Sequence, residues 1–133
     1  MTRIHIEVKV NSTENPMKVK AAVLNIFPDA AFEERVDLLT AQAQSLEKLK
    51  ELFRNQVIRD TARAVLRSSL KQGSVRFSLN KQTAFVGKVN FAPPSPLGEI
   101  FVTIEDEDIE SVVDSLTAKR EEQVNRLESN EMD

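Results

Sequence analysis

Ile4, Ile6, Val8 and Val10 alternate with His5, Glu7 and Lys9. Alternation with period two sends apolar side chains to one face of an extended chain, so this stretch is predicted to be a half-buried strand. Asn15-Pro16 then supplies an N-cap followed by proline at the first helical position. Val19, Val23, Ile26 and Phe27 form one helical face, closed by Pro28. Residues 32–43 read as one or two strands around Val36, Leu38 and Thr40. Ser45 is placed to cap a helix that turns Leu46, Leu49, Leu52 and Phe53 inward. A second helix from about Gln56 buries Ile58, Ala62, Val65 and Leu66, and Gly73 stands where it should stop. Val75, Phe77 and Leu79 alternate again. Asn80-Lys81-Gln82 is predicted to be a hairpin turn, with Phe85, Gly87, Val89 and Phe91 on the return strand. Three prolines between residues 93 and 96 mark a loop. Ile100, Val102 and Ile104 form a last strand. Glu105 or Asp106 then opens a helix carrying Ile109, Val112, Val113 and Leu116.

This order predicts an α+β chain: a single-layer antiparallel or mixed sheet of about five strands, with helices packed on one face. Residues 1–117 are expected to form one domain. Residues 118–133 are a charged tail with only Val124 and Leu127 to bury, expected to extend the last helix or fray. The length of 133 residues suits one core.

Composition narrows the function classes. Hydrophobic residues make up 41% and charged residues 29%, an ordinary globular balance. There is no cysteine, which removes disulfides and thiolate metal sites. No apolar run is long enough for a membrane span, and charges interrupt the first residues where a signal peptide needs an apolar stretch. The expected location is therefore the cytoplasm. The net charge of −3 is opposite in sign to that of most free-standing nucleic-acid binders.

The charge is unevenly sorted, however. Residues 48–88 hold ten Lys or Arg against Glu51 and Asp60, a net of +8 inside an acidic chain. Arg59, Arg63, Arg67 and Lys71 recur every four residues, which on a helix makes one stripe. Guanidinium forks at that spacing suit phosphate, and Lys81 at the turn would extend the ridge. The stripe is equally explained as a solvated face. It could also pair with acids, since residues 99–133 offer twelve Asp or Glu. Asp60 is expected to relieve it through an ion pair with its arginine neighbours.

Other chemistry is weaker. Phe77, Phe85 and Phe91 fall in core phase, whereas Phe101 is out of phase with Ile100, Val102 and Ile104 and should face the other side of the sheet. The acids Glu105-Asp106-Glu107-Asp108, with Glu110 and Asp114, could be drawn as a magnesium site, but acids at a helix start are better explained by capping. His5 is the only histidine, and nothing marks a nucleophile beside it. The three glycines lie too far apart for a phosphate-cradling loop. No catalytic residue, cofactor or metal site is assigned.

Three segments carry a family likeness: Ile58-Arg59-Asp60-Thr61-Ala62-Arg63, the run from Leu79 through Asn80-Lys81-Gln82 to Phe91, and Ser95-Pro96-Leu97-Gly98-Glu99-Ile100. Together they resemble an archaeal family of small uncharacterised proteins. The resemblance implies a five-stranded antiparallel sheet with helices against it. It also implies likeness to the 5S-rRNA-binding ribosomal protein and, more loosely, to RRM-type domains. Relatives carry labels of RNA binding or of exosome subunits. The expectation is thus a non-catalytic binding module, RNA-related through a basic helix face made by Arg59, Arg63, Arg67, Lys71 and Lys81. The alternative is a homodimeric protein-interaction or structural module that binds no nucleic acid.

Overall fold

The alternation at the N-terminus does make a strand, β1 (Arg3–Lys9), in which Ile4, Ile6 and Val8 are buried and their neighbours face the other way. β5 (Glu99–Glu105) pairs with it in antiparallel register, Ile4 opposite Ile104 and Ile6 opposite Val102. On its other side β1 pairs with β3 (Leu38–Ala43), which pairs with the short β2 (Ala31–Glu34). β4 (Ser74–Asn80) flanks β5. The result is an open five-stranded antiparallel sheet of order β2-β3-β1-β5-β4, here described from a computed structural model covering residues 1–91 and 98–118. The proline loop at 93–96 and the tail from 119 onward, both anticipated from sequence, lie outside the described residues.

The described residues also form five helices: α1 (Pro16–Ile26), α2 (Glu47–Asn55), α3 (Arg59–Ser68), α4 (Lys81–Phe85) and α5 (Ile109–Leu116). Their buried side chains, among them Val19, Val23, Leu49, Phe53 and Leu66, join Ile4, Ile6, Val75, Leu79, Ile100 and Ile104 in one cluster. The helices therefore cover one sheet face. The N-caps follow local chemistry. The Asn15 side chain accepts from Met17 N, and Asp108, not Glu105 or Asp106, caps α5 through Ser111 N. Among the described residues no helix is long and apolar enough to cross a membrane.

Several expectations are corrected. The segment after Leu79 is not a hairpin. Asn80 is an N-cap, its carboxamide accepting from Thr83 N at 3.0 Å, and it starts α4 where a turn and return strand were expected. Asparagine serves both roles, and the helix wins because α4 docks on α1, where Asn25 donates to Ala84 O at 2.9 Å. Phe85 is consequently exposed and not core. The expected return segment meets β4 only at its end, through an isolated bridge between Leu79 and Phe91 and the Asn80 N–Asn90 O hydrogen bond. Val36 lies in the β2–β3 turn, fully exposed. α3 ends at Ser68, and Gly73 (φ +78°) makes the turn into β4 instead of stopping the helix.

The outer side of β4 is occupied. Ser74 N donates to Lys71 O, Arg76 N to Ser69 Oγ at 3.1 Å, and Asn80 N to Asn90 O at 2.8 Å.

The α2–α3 turn is a Schellman motif: Ile58 N donates to Phe53 O and Val57 N to Arg54 O. The left-handed residue it requires is Val57 (φ +57°), a β-branched side chain where glycine is usual. Left-handed backbone costs an L-residue about 1–2 kcal/mol, partly offset against glycine by glycine's greater unfolded-state freedom. Val57→Gly is therefore expected to raise stability by up to about 1 kcal/mol in urea denaturation.

Lys81 is buried in the loop end of the sheet. Its ammonium donates to Lys9 O at 2.7 Å and to Glu14 Oε1 at 3.0 Å. Burial pushes the Glu14 carboxyl up, but hydrogen bonds from Asn11 N and Lys81 together outweigh it and hold the group below its ordinary value of 4.5. A lowered folded pKa stabilises fully above the unfolded value and is lost as pH falls through the folded one. Stability is thus expected to decline on acidification below about pH 4.5. Glu14→Gln should lower stability at pH 7 and flatten that decline, as seen in urea midpoints measured from pH 7 to 3.

Candidate nucleic-acid interface

The arginine spacing places Arg63 and Arg67 one turn apart on α3, both exposed, on the side facing α5. They share one carboxylate. Asp114 Oδ1 accepts from Arg63 Nη2 at 3.3 Å and from Arg67 Nη2 at 2.9 Å. Asp114, not the adjacent Asp60, is therefore the acid these arginines reach. All three side chains are roughly half exposed (46%, 45% and 53%), so the cluster is solvated and one negative charge faces two positive ones. Pairs this open contribute about 0.2–1 kcal/mol. Arg59, one turn earlier, is partly buried, and its Nη1 is enclosed without a hydrogen-bond partner.

Lys71 does not continue the helical stripe, since α3 has ended. It sits exposed in the turn before β4, bridged by backbone to Ser74. It still lies at the end of the α3 ridge, beside the edge strand. Lys81 is removed from any surface: its ammonium is consumed inside the fold by Glu14 and Lys9 O. A lysine with 6% side-chain exposure cannot meet an external phosphate without disrupting that pair. The structure thus brings Arg63 and Arg67 together on Asp114, sets Lys71 in the turn after α3, tucks Arg59 partly away, and encloses Lys81.

The sheet face that the described helices leave uncovered, buried only toward Glu99 at one end, holds what the stripe reading did not include. Outward positions on β1, β3, β4 and β5 align by register: Gln42, His5, Thr103 and Arg76 form one row, and Thr40, Glu7, Phe101 and Ser78 the next. Phe101 points here, as its phase implied. The Arg76 guanidinium lies over its ring, 5.5 Å from the centroid. Gln42 Nε2 lies 2.8 Å from His5 Nδ1, and His5 Nε2 lies 3.1 Å from Glu7 Oε1. An amide NH₂ can only donate, so Nδ1 accepts and the Nε2–H donates to Glu7. Both imidazole nitrogens are engaged. The acids once drawn as a magnesium site are spread over other tasks. Asp106 accepts from Thr2 Oγ1 at 2.6 Å, Glu107 from the Met1 ammonium, and Asp108 caps α5. Among the described residues no group of three or more potential ligands could hold a metal ion.

Comparison with known proteins places this arrangement. A UPF0201 protein from Methanothermobacter thermautotrophicus is 39% identical over 120 residues, spanning 87% of this chain and 91% of that protein. The chain belongs to the UPF0201 family. A family model described as RNA binding matches residues 3–105, from the start of β1 to the end of β5. UPF0201 crystal structures share the fold. One uncharacterised member superposes with a TM-score of 0.83 at 34% identity, covering 88% of this chain and 94% of its own. The Methanococcus jannaschii protein gives 0.80 at 41% identity, with 86% and 98% covered. The family description is RNA binding and names no reaction. The matched span includes the α3 arginines and the whole sheet, while Asp114 on α5 falls beyond it.

Because the Asp114 pairs are solvent-exposed, Asp114→Asn is expected to cost no more than about 1 kcal/mol of stability, measured by urea denaturation.

Proposed function

We propose that this UPF0201 protein is a non-catalytic RNA-binding module whose phosphate-contacting surface is the α3 ridge of Arg63 and Arg67, continued by Lys71 and flanked by Arg59. The observation that carries this reading is the imbalance at Asp114, one exposed carboxylate between two exposed guanidiniums. A backbone phosphate brings two non-bridging oxygens and can take a guanidinium fork bidentately, which a shared single oxygen does not. The Asp114 contacts are weak enough for it to displace. The family description of RNA binding over residues 3–105 supports the same reading. So does the concentration of cations on residues 48–88 of an otherwise acidic chain.

The test is fluorescence anisotropy with labelled RNA across a salt series. Wild-type affinity is expected to fall linearly with the logarithm of salt concentration. Each arginine replaced should reduce that slope by about one. Arg63→Glu combined with Arg67→Glu is expected to weaken binding more than tenfold, whereas Asp114→Asn, which frees both forks, should strengthen it a few-fold. Salt-independent binding, or indifference of affinity to all three substitutions, would show that the ridge is only a solvated face.

A further inference from the structure

The α3 ridge contacts backbone phosphates and reads nothing. The uncovered sheet face is built differently. Of its seventeen outward strand positions only Ala31, Leu38 and Phe101 are apolar, and the rest are charged or hydrogen-bonding side chains. A face of that composition is too polar for the core of a stable self-association interface. Yet Phe101 sits on β5, between β1 and β4, with the Arg76 guanidinium over its ring, 5.5 Å from the centroid. A flat ring beside a planar cation is a stacking platform of base size. Thr103 on the same strand and Ser78 opposite Phe101 provide hydroxyls, and Gln42 and His5 lie in the adjoining row. The hydroxyls and the Gln42 carbonyl oxygen can address the edge of a base, while His5, engaged at both nitrogens, holds Gln42 in place. Glu7 beside Phe101 argues against a phosphate at the centre of the face and in favour of a base there.

The platform and the ridge are joined through the backbone at the β4 edge. Arg76 is on β4, whose backbone N–H is tied to Ser69 at the end of α3, and Lys71 bridges Ser74 at the start of the same strand. Arg67, Lys71 and Arg76 thus lead from the helix around the edge of the sheet to the ring. Duplex RNA keeps its bases stacked and presents no free face to such a ring.

We propose that the open sheet face binds an unpaired RNA base, stacked on Phe101 and clasped by Arg76, with its strand arriving over Lys71 from the α3 ridge. This rests on the RNA-binding reading and adds the class of RNA, single-stranded, and the residue that receives the base.

The experiment compares a single-stranded oligonucleotide with a duplex of the same sequence, by anisotropy, and follows a 2-aminopurine base placed in the single strand. Wild type is expected to prefer the single strand and to quench the probe. Phe101→Leu should weaken single-strand binding by roughly tenfold or more and abolish quenching, while duplex binding and the salt slope stay unchanged. Phe101→Tyr should retain both signals, which separates loss of the ring from loss of fold, and Arg76→Gln should give an intermediate loss. If Phe101→Leu binds and quenches like wild type while the Arg63 and Arg67 substitutions still weaken binding, the sheet site is wrong and the ridge stands. Absence of salt-dependent RNA binding by wild type would remove both. Sedimentation showing a wild-type dimer that Phe101→Leu converts to monomer would assign the face to a second copy and overturn the proposal.

Discussion

One-sided burial governs this molecule. On each of β1, β3, β4 and β5 the alternating apolar residues fall on the same face, and the described helices pack on that face. Each fully buried Ile, Leu, Val or Phe contributes on the order of 1.5–3 kcal/mol relative to exposure. A slip of one residue between strands would turn every one of them to water. The register is therefore fixed by the core, and the outward rows are set as a by-product. His5, Thr103 and Arg76 stand in line because Ile4, Ile104 and Val75 do. The sheet's free face is ordered by packing on the face it does not share.

The cations divide by environment. Lys81 and Arg67 carry the same formal charge, yet one is enclosed and bound at two points, and the other stands half in water against a carboxylate it shares. The first holds the loop end of the sheet together. The second makes an exposed pair that contributes little to holding the fold. Counting basic residues along residues 48–88 does not separate these roles, because desolvation is a property of the neighbours and not of the residue.

The fold class and most elements were legible in sequence. β1, β4 and β5 followed from strict alternation, and α1 from its cap and proline. The outward aim of Phe101 was readable too, since a strand's period leaves no other direction. What failed had a local ambiguity that only tertiary contacts resolve. Asn80 can open a turn or cap a helix, and docking of α4 on α1 decided it. The four-residue spacing of Arg59, Arg63, Arg67 and Lys71 gave no sign that α3 ends before Lys71. Asp114 was visible as an acid, but its arrival between two arginines depends on how α5 crosses α3. The Arg76–Phe101 contact needs the β4–β5 register, which no single stretch of chain contains.

The occupied outer side of β4 has a further consequence. An antiparallel sheet with an open flank is a template on which another chain can crystallise, strand upon strand. Here three flank amides are already spoken for by Lys71, Ser69 and Asn90. The opposite flank, β2, is only four residues long and bears charged pairs, Glu33 with Arg35 and Glu34 with Lys20, in place of an apolar edge. Lateral polymerisation is thus discouraged at both margins, which leaves the broad side of the sheet as its accessible surface.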